Sequence, residues 1–295
     1  MYDVIVIGGS YAGMAAALQL LRARRKILII DAGQRRNRFA AHSHGFLGQD
    51  GVNPGEIAAT ARRQLQAYST LDWIDGLVAQ AAGQKDDFSV TLEDGTVHHG
   101  RRLLFATGVA DELPEVEGLA ERWGKSVFHC PYCHGYELDQ GRIGVIAANE
   151  NSLHQAQLLP EWGETTFFTN HVLTLDEKAQ QMLVGRGVTV EETPIIRIEG
   201  EADVLLADGR SLSFAGLFVA PRCRPATPVA ANMGCALEET PMGVQIKVHD
   251  TKETSIAGVF ACGDVARMPH SVSLAVGDGA WAGAQLHRSL VWPDS

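Results

Sequence analysis

No apolar run in this chain reaches the ~18–20 residues that span a bilayer, and a strand begins at Tyr2, which leaves no room for a signal peptide. Both absences predict a cytoplasmic protein with no membrane partner. A basic stripe is missing too. The 295 residues carry 25 Lys and Arg against 35 Asp and Glu, a net charge of −10 that argues against a nucleic-acid partner. The short basic runs Arg22–Lys26 and Arg35–Arg38 are expected on solvated surface. Cysteine is scarce, and five in a reducing compartment do not make a structural disulfide framework. There is no low-complexity tract, and the length suits two domains with a core each.

What is present centres on Phe128-His-Cys-Pro-Tyr-Cys-His-Gly-Tyr-Glu137. Cys130 and Cys133, two residues apart, can close a small disulfide. His134, directly after, can take or give the proton that thiol–disulfide exchange moves. Alone, a CxxC is a redox dithiol, half a zinc site, or chance. Zinc fails: His129, Cys130, Cys133 and His134 cannot converge on a tetrahedral ion from so short a stretch, and Cys223 and Cys235 are not spaced as a second pair. No metal is expected.

Tyr2–Ile7 reads as a buried parallel strand, followed by Gly8-Gly9-Ser10-Tyr11-Ala12-Gly13, helical apolar spacing over Ala15–Leu21, and a second strand Lys26–Ile30 closed by Asp31. This βαβ unit with a Gly-rich turn binds a dinucleotide. Gly8 permits the tight turn and Gly13 close packing of helix on strand. The helix N-terminus faces the pyrophosphate, and Asp31 accepts from a ribose. Ser10 stands where the pattern has its middle glycine and narrows the gap slightly. The loop from Asn37 to Glu56 holds His42 and His44, either exposed or near the cofactor. An amphipathic helix Glu56–Tyr68 follows, then short strands around Trp73–Gln80, Phe88–Leu92, Thr96–His99 and Leu103–Gly108.

The first turn, Ala106-Thr107-Gly108, the CxxC, and Gly263-Asp264 before the Gly-rich segment Gly277–Gly279 come in an order that resembles the low-molecular-weight thioredoxin reductases over nearly the whole chain. That resemblance implies an α/β fold of two Rossmann-like, doubly wound domains, the second inserted into the first. Residues 1–112 and 243–295 would form an FAD domain and 113–242 a nucleotide-binding-like domain carrying the CxxC, in a homodimer. It also adds Gly9, Ala12 and Val78 to the cofactor contacts, with Asp264 on the ribityl chain. Ser271 and Val272 would place backbone N–H groups near the pyrimidine edge, at the start of a helix whose dipole favours reduced flavin. Cys262 reads as a packed core residue.

The inserted domain contains its own comparison. Laid on it so that Ile7 falls on Ile146, the first βαβ unit matches without a gap, Ala17 on Ala156 and Asp31 on Asn170. The apolar framework survives, but Gly8 becomes Ala147, Ser10 becomes Asn149 and Gly13 becomes Ser152, with Glu150 beside them. A carboxylate ~4 Å from a phosphate costs about 4 kcal/mol at an effective dielectric of about 20, nearly a thousandfold in affinity. No Arg or Lys follows the second strand until Lys178, so a 2′-phosphate lacks its cations. NADPH is therefore not expected, and the natural electron flow reverses. The Cys-Pro-Tyr-Cys-His sequence, with His where thioredoxin reductases carry Asp, resembles the FAD-dependent dithiol oxidases that close disulfides in gliotoxin-, holomycin- and romidepsin-type products. The resemblance implies that Cys130 exchanges with a small dithiol, Cys133 meets the flavin, His134 is the base, and O₂ is the acceptor. The alternatives are an NADPH- or ferredoxin-dependent reductase of a thioredoxin-like protein, and a flavin-bound redox sensor.

Overall fold

The computed structural model describes residues 1–293. Asp294 and Ser295, the end of the expected 243–295 segment, lie outside the described residues.

The first strand, Tyr2–Ile7, is parallel to Ile27–Asp31 on one side and to Val97–Phe105 on the other. Val4 to Ile7 are buried on both faces, as a β-branched run must be when helices cover the sheet above and below. Leu71–Asp75 and Val259–Ala261 extend the parallel part, and an antiparallel pair, Val78–Gln84 and Asp87–Leu92, completes a seven-stranded sheet. The long helix Val272–Val291 lies against Tyr11–Arg22. Their contact is made by small residues: a Cβ on Gly279 would stand 2.1 Å from the Ala12 carbonyl oxygen.

Within this sheet's sequence comes a second one. Thr189–Glu191, Gly163–Phe168, Gln140–Ile146, Gly216–Val219 and Val127–Phe128 lie side by side in that order, all parallel. The first sheet breaks off after Phe105 and resumes at Val259, so the molecule is two Rossmann-like units with the second inserted in the first. A four-stranded sheet that includes Val109–Glu112 and Arg222–Pro225 carries the chain out and back. In a parallel α/β sheet, ligands collect at the carboxyl ends of the strands, and both Gly-rich-type turns lie there.

Three elements depart from expectation. The helix after the first turn starts at Tyr11 instead of Ala15, so its N-terminus touches the turn itself. The stretch Trp73–Gln80 is broken at Gly76 into the ends of two strands on opposite edges of the sheet. Conversely, Thr96–His99 and Leu103–Gly108 are parts of one nine-residue strand, Val97–Phe105. Its Arg101-Arg102 centre looks like a break in sequence but is not one. The fully buried Arg102 guanidinium is met by Asp86 at 2.9 Å and by Ser289 Oγ and its carbonyl oxygen at 3.1 and 2.8 Å.

Replacing Gly279 by Val should force the two helices apart at Ala12. The cost expected from overpacking is about 1–3 kcal/mol, and FAD affinity should fall because the helix forming the first turn moves. Urea unfolding and flavin retention on gel filtration measure both.

Candidate functional site

A cavity of about 1310 Å³, its open mouth included, is bounded by residues of both units. Its lining brings together Ser10, Tyr11 and Ala12, Ala106–Gly108, Cys133 and His134, Gly263 and Asp264, and Ser271 and Val272.

The dinucleotide turn is shaped by close backbone approach. Gly8 has φ +106°, and a Cβ on it would meet the Ala106 carbonyl oxygen at 2.3 Å. Gly9 N–H donates to Asp31 Oδ1 at 3.1 Å, which fixes the acid at the end of the second strand. Ser10 precedes the helix but makes no side-chain capping bond, so the first-turn N–H groups are left for a ligand. Asp264 has Oδ1 buried without a hydrogen-bond partner, and burial pushes its carboxyl pKa up. Ser271 Oγ accepts from Leu274 N–H at 3.1 Å and starts the helix Val272–Val291 at the cavity wall. An anion-ready helix start, a fixed acid and an unpartnered acceptor together fit flavin adenine dinucleotide. Val78, expected among the cofactor contacts, packs on the cluster of Ile5, Ile30 and Leu92.

Cys130 and Cys133 are joined as a disulfide, Cα–Cα 5.4 Å. Cys130 precedes the short helix Pro131–His134, and the proline at its first turn sets the backbone for helix entry. Cys133 and His134 line the cavity, whereas Cys130 does not. The two sulfurs thus face different surroundings. Tyr132 and Tyr136 beside them are 72% and 86% exposed, and Tyr132 stands edge-on to Trp162 at 5.2 Å. The His134 ring stacks on Phe128 at 4.2 Å. Burial there pushes its pKa down to about 4, with Glu137 opposing and His44 adding to the shift. His129, beside Trp123, is pushed to about 3 by burial and then by the Arg36 cation.

Arg36 corrects the sequence reading. The Arg35–Arg38 run was expected on solvated surface, yet the Arg36 side chain is 16% exposed and lines the cavity. It makes a bidentate pair with Asp111, with Nε at 3.0 Å, and reaches His270 Nδ1 at 2.9 Å, Cys223 Sγ at 3.5 Å and Asp264 at 3.6 Å. Burial works against its charge, but Asp111, with Cys223 and Asp264, holds the guanidinium above its ordinary value. Sequence offered no signal for this, because the partners lie far apart in the chain. Cys223 Sγ donates to Asp111 at 3.4 Å and is pushed up to about 12 by burial. Cys235 and Cys262 are also buried with raised pKa values, so the cysteines outside the disulfide are protonated core groups. His42 and His44 both line the cavity.

The equivalent turn of the inserted unit is filled by its own side chains. Ser152 Oγ accepts from Ala148 N–H at 2.9 Å and from Asn149 N–H at 3.4 Å. Asn149 Oδ1 takes Asn151 N–H at 2.9 Å, and its Nδ2 donates to the Ala220 carbonyl at 2.6 Å. Asn170, in the place of Asp31, is engaged by Ile195 N–H at 2.9 Å.

Residues 2–279 match the pyridine nucleotide-disulphide oxidoreductase family. The chain belongs to that family. It is similar to thioredoxin reductase sirT of Leptosphaeria maculans, 33% identical over 315 residues covering 100% of this chain and 96% of the relative. Among solved structures it resembles an oxidoreductase from Agrobacterium tumefaciens, 58% identical with TM-score 0.97 over 99% of both chains. It also resembles HlmI, 35% identical with TM-score 0.92 over 99% of this chain and 93% of that one. These likenesses bear out the motif reading: the protein is an FAD-dependent disulfide oxidoreductase of the thioredoxin reductase type.

The two depressed histidines set an acid dependence of stability. Their folded pKa values lie below the unfolded ~6.5, so as pH falls the unfolded chain takes protons first. Stability is complete above about 6.5 and is lost as pH drops towards the folded values of about 4 and about 3. Each should contribute a slope of about 1.4 kcal/mol per pH unit between about pH 6 and 4.5. Urea unfolding of His134→Asn should show one such contribution fewer; an acid slope equal to that of the parent protein would mean the fold does not hold His134 neutral.

Proposed function

We propose that this protein is a dithiol oxidase, in which a small dithiol reduces the Cys130–Cys133 disulfide and the electrons leave through FAD to O₂. The observation that carries the reading is the turn at Ala148–Ser152. Its N–H groups at Ala148, Asn149 and Asn151 are engaged by Ser152 Oγ and Asn149 Oδ1; of the matching residues, Gly9 N–H is held by Asp31, while Ser10 and Ala12 line a cavity with no side-chain cap on their helix. A pyrophosphate would have to displace those bonds and approach Glu150, so NADPH is a poor donor here and an external thiol is left as the source of electrons. Exposed Tyr132 and Tyr136 offer aromatic surface beside the disulfide, which suits a small apolar dithiol.

When bound, FAD supplies the two-electron acceptor for a thiolate. The first-turn N–H groups at Ser10–Gly13 and Asp31 would hold its adenosine and pyrophosphate half, and Asp264 with the Ser271–Val272 helix start would hold the other. His134, neutral well below neutral pH, removes the proton from the incoming thiol. The thiolate attacks Cys130, the sulfur away from the cavity, and Cys133 leaves as a thiolate on the cavity side. The second substrate thiol attacks the mixed disulfide, closing the product and freeing Cys130. We take 113–242 as the inserted unit presenting the disulfide, and the protein as a cytoplasmic homodimer.

The competing reading is an NADPH-dependent reductase, favoured by the name thioredoxin reductase that the sirT protein bears. Anaerobic mixing separates the two. NADPH should leave the protein yellow, whereas dithiothreitol should bleach it, with peroxide formed once air is admitted. Prompt bleaching by NADPH would overturn the proposal, and absence of turnover with any thiol would favour a redox sensor. Cys133→Ser should keep FAD and lose bleaching by dithiols. His134→Ala should slow bleaching on the order of 10²–10⁴-fold; an unchanged rate would remove His134 from the mechanism.

A further inference from the structure

Exchange between a dithiol and the Cys130–Cys133 disulfide moves two protons as well as two electrons. The Cys130–Cys133 bond breaks, the product S–S bond forms, and both substrate thiols lose their protons. One proton lands on the Cys130 sulfur as it leaves the mixed disulfide. The other has no sulfur to receive it while Cys133 remains a thiolate, the form that passes the electron pair to the flavin and re-forms the disulfide. It must reach bulk water from a half-buried histidine stacked on Phe128.

The structure holds a path for it. Glu137 follows His134 by less than a helical turn and is 44% exposed. His44 lines the same cavity as His134, on the loop from the other unit. Its Nε2 lies 3.4 Å from Glu137 Oε1 and its Nδ1 3.5 Å from Asp50 Oδ1, so each ring nitrogen faces a carboxylate. Asp50 is 68% exposed. The loop is fixed at both ends of this arrangement: Gly45 N–H donates to Asp50 Oδ1 at 2.8 Å, and Ser273 Oγ donates to the Gly45 carbonyl at 2.9 Å. Ser273 belongs to the helix that starts beside the flavin cavity. A two-nitrogen ring between two carboxylates can take a proton on one side and release it on the other.

We propose that Glu137, His44 and Asp50 form a proton relay that discharges His134 to solvent during thiol–disulfide exchange, with His44 as its positioning residue. The inference rests on the dithiol-oxidase reading of the same site. The ring environments agree with it. His134 faces Glu137 from its own segment, His44 from the loop and the Phe128 ring from the strand before it. Its depressed pKa means that it cannot hold the proton at neutral pH and must pass it on. His44 itself faces Asp50, Glu137 and the His42 ring.

The test is anaerobic stopped-flow bleaching of the holoprotein by dithiothreitol, across pH, for the parent protein, His44→Gln and Glu137→Gln. Near neutral pH both variants should be slowed about tenfold or more. The deficit should shrink above the free-thiol pKa of about 8.5, where the substrate arrives ionised, and added imidazole should restore the rate. The same pH-dependent deficit is expected in flavin-free protein, read as the rate at which the disulfide opens to alkylation. His44→Gln running at the parent rate, or a deficit equal at every pH and untouched by imidazole, would overturn the relay alone. A parent protein that no dithiol bleaches would overturn the oxidase reading and the relay with it.

Discussion

A helix begins with N–H groups that have no partner in the helix, and each can be given either to a ligand or to a neighbouring side chain. That choice is made differently at the two Rossmann-like turns of this molecule. At the first, Gly8 and Gly13 bring backbone against backbone, Ser10 leaves its own turn uncapped, and the polar groups face a cavity. At the second, Asn149 Oδ1 takes the first helical N–H, that of Asn151, and Ser152 Oγ takes those of Ala148 and Asn149 in the turn before it. The inserted unit gains local stability from those bonds, each worth about 0.5–1.5 kcal/mol. One architecture thus appears twice, with a cavity at the first turn and side-chain hydrogen bonds at the second.

Arg36 links this contrast to the relative placement of the two units. Its guanidinium joins Asp111 on the outgoing strand to Cys223 on the returning one, and touches His270 and Asp264 from the last segment. A charge with so little exposure persists because Asp111 offsets its desolvation. The bidentate geometry holds both crossovers to the wall of the flavin cavity, and with them the inserted unit that carries Cys133. Cys223, pressed between Arg36 and Asp111, serves this junction as a protonated thiol.

Much of this was legible from the sequence, and the gaps have physical causes. The first βαβ unit, the turn that closes it and the fall of Gly8, Ser10 and Gly13 onto Ala147, Asn149 and Ser152 are local patterns. They depend on period and residue size, which sequence displays directly. Arg36 was misread because a charged residue reads as exposed until its partner is known, and Asp111 and His270 are supplied by tertiary contact. His44 belongs to the same class. On a Gly-rich loop it has no pattern of its own, and its meaning comes from Glu137, which the fold delivers from the other unit.

The proposed direction of electron flow also accounts for the histidine after the second cysteine. A reductase that delivers electrons outward has to protonate a departing thiol, and a carboxyl group that starts protonated can do that. An oxidase must take a proton from an arriving thiol at neutral pH, which requires a group that is empty there. Burial against Phe128 empties His134 to about pH 4, at the expense of its strength as a base, since basicity and pKa fall together. A weak base competes with that loss by geometry and by fast discharge. The Glu137 carboxylate favours the imidazolium form for the moment it exists. The low pKa and the nearby Glu137–His44 pair are therefore two parts of one electrostatic arrangement: the first keeps the site ready, and the second clears it.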